Sequence, residues 1–294
     1  MDQLVRLRGM AILPSPPDER DYTVDLVSAP VLPEQVSLPD SPIILDQGQS
    51  PFCGGASGAG IANAYYNSLG KMPKNGFSMT FIYWLAKQYD GMPNVQGTYL
   101  RTILKVMSKY GCAPEDLQPF SLVNHPKINA EAFKVALDYK VQSYYKLSTP
   151  YEMKIALTSG FYILLATFIT RDNWSYRNKG WISGPSGEFA GGHATRGNGY
   201  DNNLRSNIHD HIGYFICSNS WGIRWGDDGK FYLPYDYFNF KVPNIGYSKF
   251  IEAWAVEFTP PQLNKDTDTT KFNYVTRRRS QMFKPDYKKV RGII

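Results

Sequence analysis

A glutamine, a glycine turn and a cysteine fall within seven residues in Asp46-Gln47-Gly48-Gln49-Ser50-Pro51-Phe52-Cys53-Gly54-Gly55-Ala56-Ser57. Small residues follow Cys53, which places it at the start of a predicted helix. Cysteine attacks as its thiolate, and the unsatisfied amides and dipole of a helix N-terminus favour that charge. The Gln47 side-chain NH2 can point where an oxyanion forms, beside the backbone N–H of Cys53. Alone, such a cysteine reads as a small buried apolar group. Two later stretches change the reading: Gly191-Gly192-His193-Ala194, and Tyr214-Phe215-Ile216-Cys217-Ser218-Asn219-Ser220-Trp221-Gly222. His193 follows Cys53 by 140 residues and Asn219 follows His193 by 26. The chain thus supplies a nucleophile, a base and a group to orient the base, in that order.

Taken in register, Gln47-Gly48…Cys53, Gly192-His193-Ala194 and Asn219-Ser220-Trp221-Gly222…Trp225-Gly226…Gly229 resemble the papain-like cysteine peptidases. Ser15-Pro16-Pro17-Asp18-Glu19-Arg20-Asp21-Tyr22 is similar to a segment of bacterial and phage members that lack a large helical propeptide. The resemblance implies an α+β, two-lobed fold with a helical left lobe, an antiparallel β-barrel right lobe and the site in the cleft between them. It implies a peptide or protein substrate and no cofactor. Cys53 would be the nucleophile, His193 the acid and base, and Asn219 the orienting amide. Gln47 would be an oxyanion donor, and Trp221 would shield the Asn–His hydrogen bond. Gly97 would line a substrate subsite by backbone pairing, though a capping glycine explains it as well. Two positions depart from the family pattern. Gly54 and Gly55 stand where a tryptophan is usual, and Ser50 stands where secreted relatives place a disulfide cysteine. The second departure points to a reducing, cytoplasmic site of synthesis.

The elements needed to position these groups can be read in order. Residues 1–45 are proline-rich without helical period, and read as an extended arm lying on a body. Residues 46–119 carry helical spacing at Cys53–Leu69, Ser78–Tyr89 and Gly97–Lys109. Residues 120–258 turn to strands at Tyr139–Leu147, Phe161–Ile169, Gly192–Tyr200, Tyr214–Asn219, Lys230–Pro234 and Phe250–Phe258, with a short helix at Tyr151–Ser159. Residues 259–294 form a basic extension.

Composition sets the outer limits. The chain has 294 residues, 15% of them aromatic, which is ample for a core without disulfide staples. Cys53, Cys112 and Cys217 are too few for a disulfide framework. Met1–Leu13 lacks the apolar stretch of a secretory signal, and no run is long enough to span a membrane. Asn173-Trp174-Ser175 matches a glycosylation sequon without a secretory route to use it. His209-x-His211 lacks the further ligands of a metal site, so no metal is expected. Residues 259–294 hold nine basic and three acidic side chains, equal to the whole formal charge of +6. Such a tail suits the phosphates of a nucleic acid, an anionic wall polymer or an acidic protein groove. The second reading of the chain follows: a papain-like subunit of a larger assembly, for example a virion, docked through residues 1–45 and 259–294.

Overall fold

The computed structural model describes residues 12–21, 31–92, 94–184, 188–241 and 250–259. The basic extension beyond Thr259, and with it the expected docking by that tail, lies outside the described residues.

In chain order the elements are β1 (Ile12–Leu13), β2 (Gln35–Ser37), α1 (Cys53–Ser68), α2 (Met79–Tyr89), β3 (Thr98–Tyr99), α3 (Leu100–Tyr110), α4 (Ala130–Ala136), β4 (Val141–Leu147), α5 (Pro150–Thr158), β5 (Tyr162–Thr170), β6 (Phe189–Arg205), β7 (Ile212–Ser218), β8 (Lys230–Pro234) and β9 (Phe250–Phe258). Strands pair in the order β4-β9-β5-β6-β7-β8, all antiparallel, with β2 added on β6 to make seven. One apolar core surrounds α1 to α3, and a second fills the sheet side around Trp174, Trp225, Tyr200 and Phe231.

Helix α1 is built to be crowded. A Cβ on Gly55 would stand 2.5 Å from the Met79 carbonyl oxygen, one on Gly58 would stand 2.8 Å from Met107 Sδ, and one on Gly60 would stand 2.9 Å from Arg196 Nε. Each glycine costs about 1 kcal/mol of helix propensity relative to alanine. Here that cost lets α2, α3 and β6 approach the α1 backbone. The other helices follow ordinary start and stop rules. Ser78 Oγ accepts the Phe81 N–H at 3.0 Å to cap α2. Thr149 Oγ1 caps α5 just before Pro150. α3 ends at Gly111, whose φ of 81° and lack of a side chain let it lie against the Ala136 carbonyl.

Several boundaries differ from those read in the sequence. The helix expected from Gly97 starts at Leu100, because Thr98 and Tyr99 are a strand paired in parallel with Ile12 and Leu13. The arm is not featureless: its described parts add β1 to β3 and β2 to β6. Strand β6 runs 17 residues, through register shifts that carry it past Tyr200 to Arg205. Helix α4 shows no apolar stripe in the sequence, because only Ala132 and Ala136 of its seven residues are fully buried.

Candidate active site

Cys53 is the first residue of α1 and is fully buried. The residue before it, Phe52, contributes no side-chain cap, and the first turn holds no acid. The orphan amides there are thus not answered by a local carboxylate. Phe52 instead locks the helix start by stacking on Tyr83 at 4.3 Å, with Trp84 and Phe120 edge-on.

His193 lies on β6, opposite Thr167 of β5. Its Nε2 is 2.7 Å from Asn219 Oδ1. The same oxygen accepts the Ser220 backbone N–H at 2.8 Å. A backbone amide can only donate, so the Asn219 atom facing both groups is its carbonyl oxygen. Nε2 therefore carries a hydrogen, which leaves Nδ1 as the ring's other nitrogen. Trp221 stacks on the imidazole at 4.7 Å with 29° between the planes, and Trp174 meets it edge-on at 5.8 Å. Trp225 in turn stacks on Trp174 and meets Trp221 edge-on at 5.0 Å. The result is a buried, aromatic box around the His–Asn hydrogen bond.

Gln47 is buried in a turn whose Gly48 has φ 57°. Its backbone N–H donates to the Ser220 carbonyl at 2.9 Å, and its Oε1 accepts from Ser220 Oγ at 2.6 Å. With the side-chain oxygen held, Nε2 is turned the other way and donates to the Ser50 carbonyl at 2.9 Å. Ser50 Oγ closes the turn on the Gln47 carbonyl at 2.7 Å. The turn is also bridged from Asp46 to Trp221, and the Gly222 N–H donates to the Leu45 carbonyl. The segments carrying Gln47 and Asn219 are therefore one rigid unit.

The arm enters this region. Ile12 is 2% exposed. Its Cδ1 lies 3.2 Å from where a Cβ on Gly54 would stand, and its carbonyl oxygen 2.1 Å from where one on Gly192 would stand. Ile12 thus sits between the residue after Cys53 and the residue before His193. Apolar bulk from the arm packs where the family's usual tryptophan is missing. Arg101 anchors the arm, with Nε donating to Asp21 Oδ1 at 2.7 Å and the two other nitrogens holding Asp21 and the Pro16 carbonyl. Ser15 Oγ donates to Glu252 Oε1 at 2.7 Å, a carboxyl whose pKa is pushed up by burial.

The remaining sequence candidates fall elsewhere. The Gly97 N–H donates to Tyr83 Oη and its carbonyl accepts from Lys87 Nζ, so both backbone groups are engaged from α2. The strand pairing beside it is carried by Thr98 and Tyr99. Cys112 and Cys217 are buried core residues whose thiol pKa values are pushed up by burial, and none of the three cysteines forms a disulfide. His211 pairs with Asp236 at 3.0 Å, and among the described residues no group of three or more His, Cys, Asp or Glu could hold a metal. Asn173 of the sequon is buried and donates to the Ser183 and Gly184 carbonyls. No helix of the described residues is long and apolar enough to cross a membrane. Ser220, Trp174, Tyr83 and Lys87 were not singled out from the sequence. Ser220 stood inside a quoted motif and Trp174 inside the sequon, but neither carried a spacing signal of its own.

A buried cysteine thus begins α1, and strand β6 carries an imidazole held by an amide. The family model for the papain family cysteine proteases matches residues 86–242, which include His193 and Asn219. The chain belongs to that family. An uncharacterized peptidase C1-like protein, L477, of Acanthamoeba polyphaga mimivirus is 27% identical over 277 residues, covering 81% of this chain and 85% of that protein. A cathepsin B-like protein, CP2, of Giardia intestinalis is 36% identical over 87 residues, 30% of this chain and 27% of its own length. Among solved structures, xylellain, a cysteine protease from Xylella fastidiosa, superposes with a TM-score of 0.70 at 24% identity, over 86% of this chain and 97% of its own. ProCathepsin B S9 from Trypanosoma congolense gives 0.64 at 17%, over 88% and 89%. These likenesses establish the two-lobed papain-like fold.

Proposed function

We propose that the chain is a cysteine endopeptidase that hydrolyses peptide bonds through Cys53, His193, Asn219 and Gln47. The observation that carries the reading is the His193–Asn219 hydrogen bond, which fixes the imidazole with Nε2 as donor under the Trp221 ring. His193 Nδ1 takes the Cys53 proton, leaving a thiolate beside an imidazolium. Sγ attacks the peptide carbonyl carbon, the C=O electron pair moves to oxygen, and the Cys53 N–H and Gln47 Nε2 stabilise that oxyanion. As the C–N bond breaks, the imidazolium gives its proton to the leaving amine. Water, losing a proton to His193, then attacks the thioester, and the thiolate departs. An amide at position 219 suffices, because the ion pair already exists before attack and no further negative charge is needed behind the ring.

The test is hydrolysis of a quenched fluorogenic peptide, with epoxide-type thiol inhibitors as covalent probes. Wild-type protein is expected to cleave the peptide and to carry one inhibitor on Cys53 by mass spectrometry. Cys53→Ala is expected to do neither. Cleavage that survives Cys53→Ala, or a native Cys53 that no probe labels, contradicts the proposal.

A further inference from the structure

Helix α2 turns Tyr83 and Lys87, one turn apart, toward the loop that leads into β3. Lys87 is 3% exposed. Its Nζ donates to Asp90 Oδ2 at 2.7 Å, to the Met92 carbonyl at 2.7 Å and to the Gly97 carbonyl at 2.8 Å. An ammonium has three hydrogens, and all three enter this one loop. Asp90 Oδ1 in turn accepts the Met92 N–H at 2.8 Å, and Tyr83 Oη accepts the Gly97 N–H at 3.1 Å. The peptide groups on both sides of Gly97 are therefore gripped by one helix face. Gly97, at φ 90°, passes directly into Thr98 and Tyr99. That short edge takes an extended main chain, because Ile12 and Leu13 already pair with it, and the Ile12 carbonyl lies against Gly192 next to His193. A substrate main chain that takes the arm's place on β3 would run beside His193.

We propose that Lys87 is a positioning residue, which sets the β3 edge at the height where the extended main chain of a peptide substrate meets Cys53. The inference rests on the peptidase reading above. A buried ion pair contributes little net stability compared with apolar packing of the same volume. What Lys87 supplies is direction: three bonds to fixed acceptors in a loop that no disulfide braces. A neutral side chain cannot satisfy a carboxylate and two carbonyls at once, so an apolar replacement fills the space but frees the loop.

The experiment uses the full chain and the double variant K87M/D90N, which removes both charges and leaves no orphan carboxylate. Two substrates are compared: a fluorogenic peptide with four residues before the scissile bond, and a single-residue ester too short to reach β3. For the peptide, KM is expected to rise about tenfold or more, with kcat changed less. Ester hydrolysis is expected not to fall by more than about twofold, because so short a substrate does not reach the edge. Lys87→Arg, which keeps charge and donors, is expected to recover most of the peptide KM. Equal losses on ester and peptide, or an unchanged peptide KM, overturn the proposal. If the wild-type protein cleaves neither substrate, the peptidase reading fails, and amide hydrogen exchange at Thr98 and Tyr99 decides. Protection in K87M/D90N that falls tenfold or more supports an edge held by Lys87. Unchanged protection overturns it.

Discussion

Replacing Asn219 by alanine removes the acceptor that both the His193 ring and the Ser220 amide use. The catalytic cost follows from the first bond. A hydrogen bond to a charged group contributes about 1.5–3 kcal/mol, and the His193 bond reaches that strength when the ring is an imidazolium. At about 1.4 kcal/mol per factor of ten, kcat/KM should fall roughly 10- to 150-fold. The stability cost follows from the second bond, since a buried N–H left unsatisfied costs about 1–3 kcal/mol. The assay is hydrolysis of the fluorogenic peptide, normalised to active sites titrated with a thiol-directed epoxide, beside a thermal melt. Asn219→Asp keeps an oxygen for both donors and should restore most of the melting temperature and a large part of the rate. A variant N219A with full activity, or N219D as slow and as unstable as N219A, would refute the reasoning.

Two further outcomes follow from burial. Glu115 is pushed up to about 7 from the usual 4.5, chiefly by burial, against the opposing hydrogen bond from the Phe120 N–H. A folded-state pKa above the unfolded one gives stability that is complete below about 4.5 and is lost as pH rises through about 7. Glu115→Gln should flatten the melting temperature across that window, and an unaltered slope would contradict the assignment. Ile12→Ala should lower stability by about 2–4 kcal/mol by opening a cavity between Gly54 and Gly192, and should speed alkylation of Cys53 by iodoacetamide. Unchanged values for both would mean that the arm does not seat there.

What the sequence made legible was the chemistry and the elements with strong period. The cysteine, histidine and asparagine motifs, the three main helices and the six long strands all stood out, because each has a local signal of spacing or residue type. The glycines of α1 could be read as close approaches before the neighbours at Met79, Met107 and Arg196 were known. What stayed hidden depends on distant partners. Nothing in Ile12-Leu13 announces that it will pair with Thr98-Tyr99, and a two-residue strand has no period to detect. Lys87 sits in an ordinary amphipathic helix, where lysine normally means a solvated face. Only the folded loop turns it into a buried cation with three acceptors. Trp174 is the middle residue of a sequon, and its place beside His193 depends on the fold of the loop after β5.

The most direct measurement is the pH dependence of Cys53 alkylation by iodoacetamide in wild-type protein and in His193→Ala. If an imidazolium sustains the thiolate, the wild-type rate is already high at mildly acidic pH and far exceeds that of a free thiol there. In His193→Ala that acidic limb is lost, and the rate rises only near the ordinary thiol range of about 8.5. Superimposable profiles for the two proteins would contradict the account.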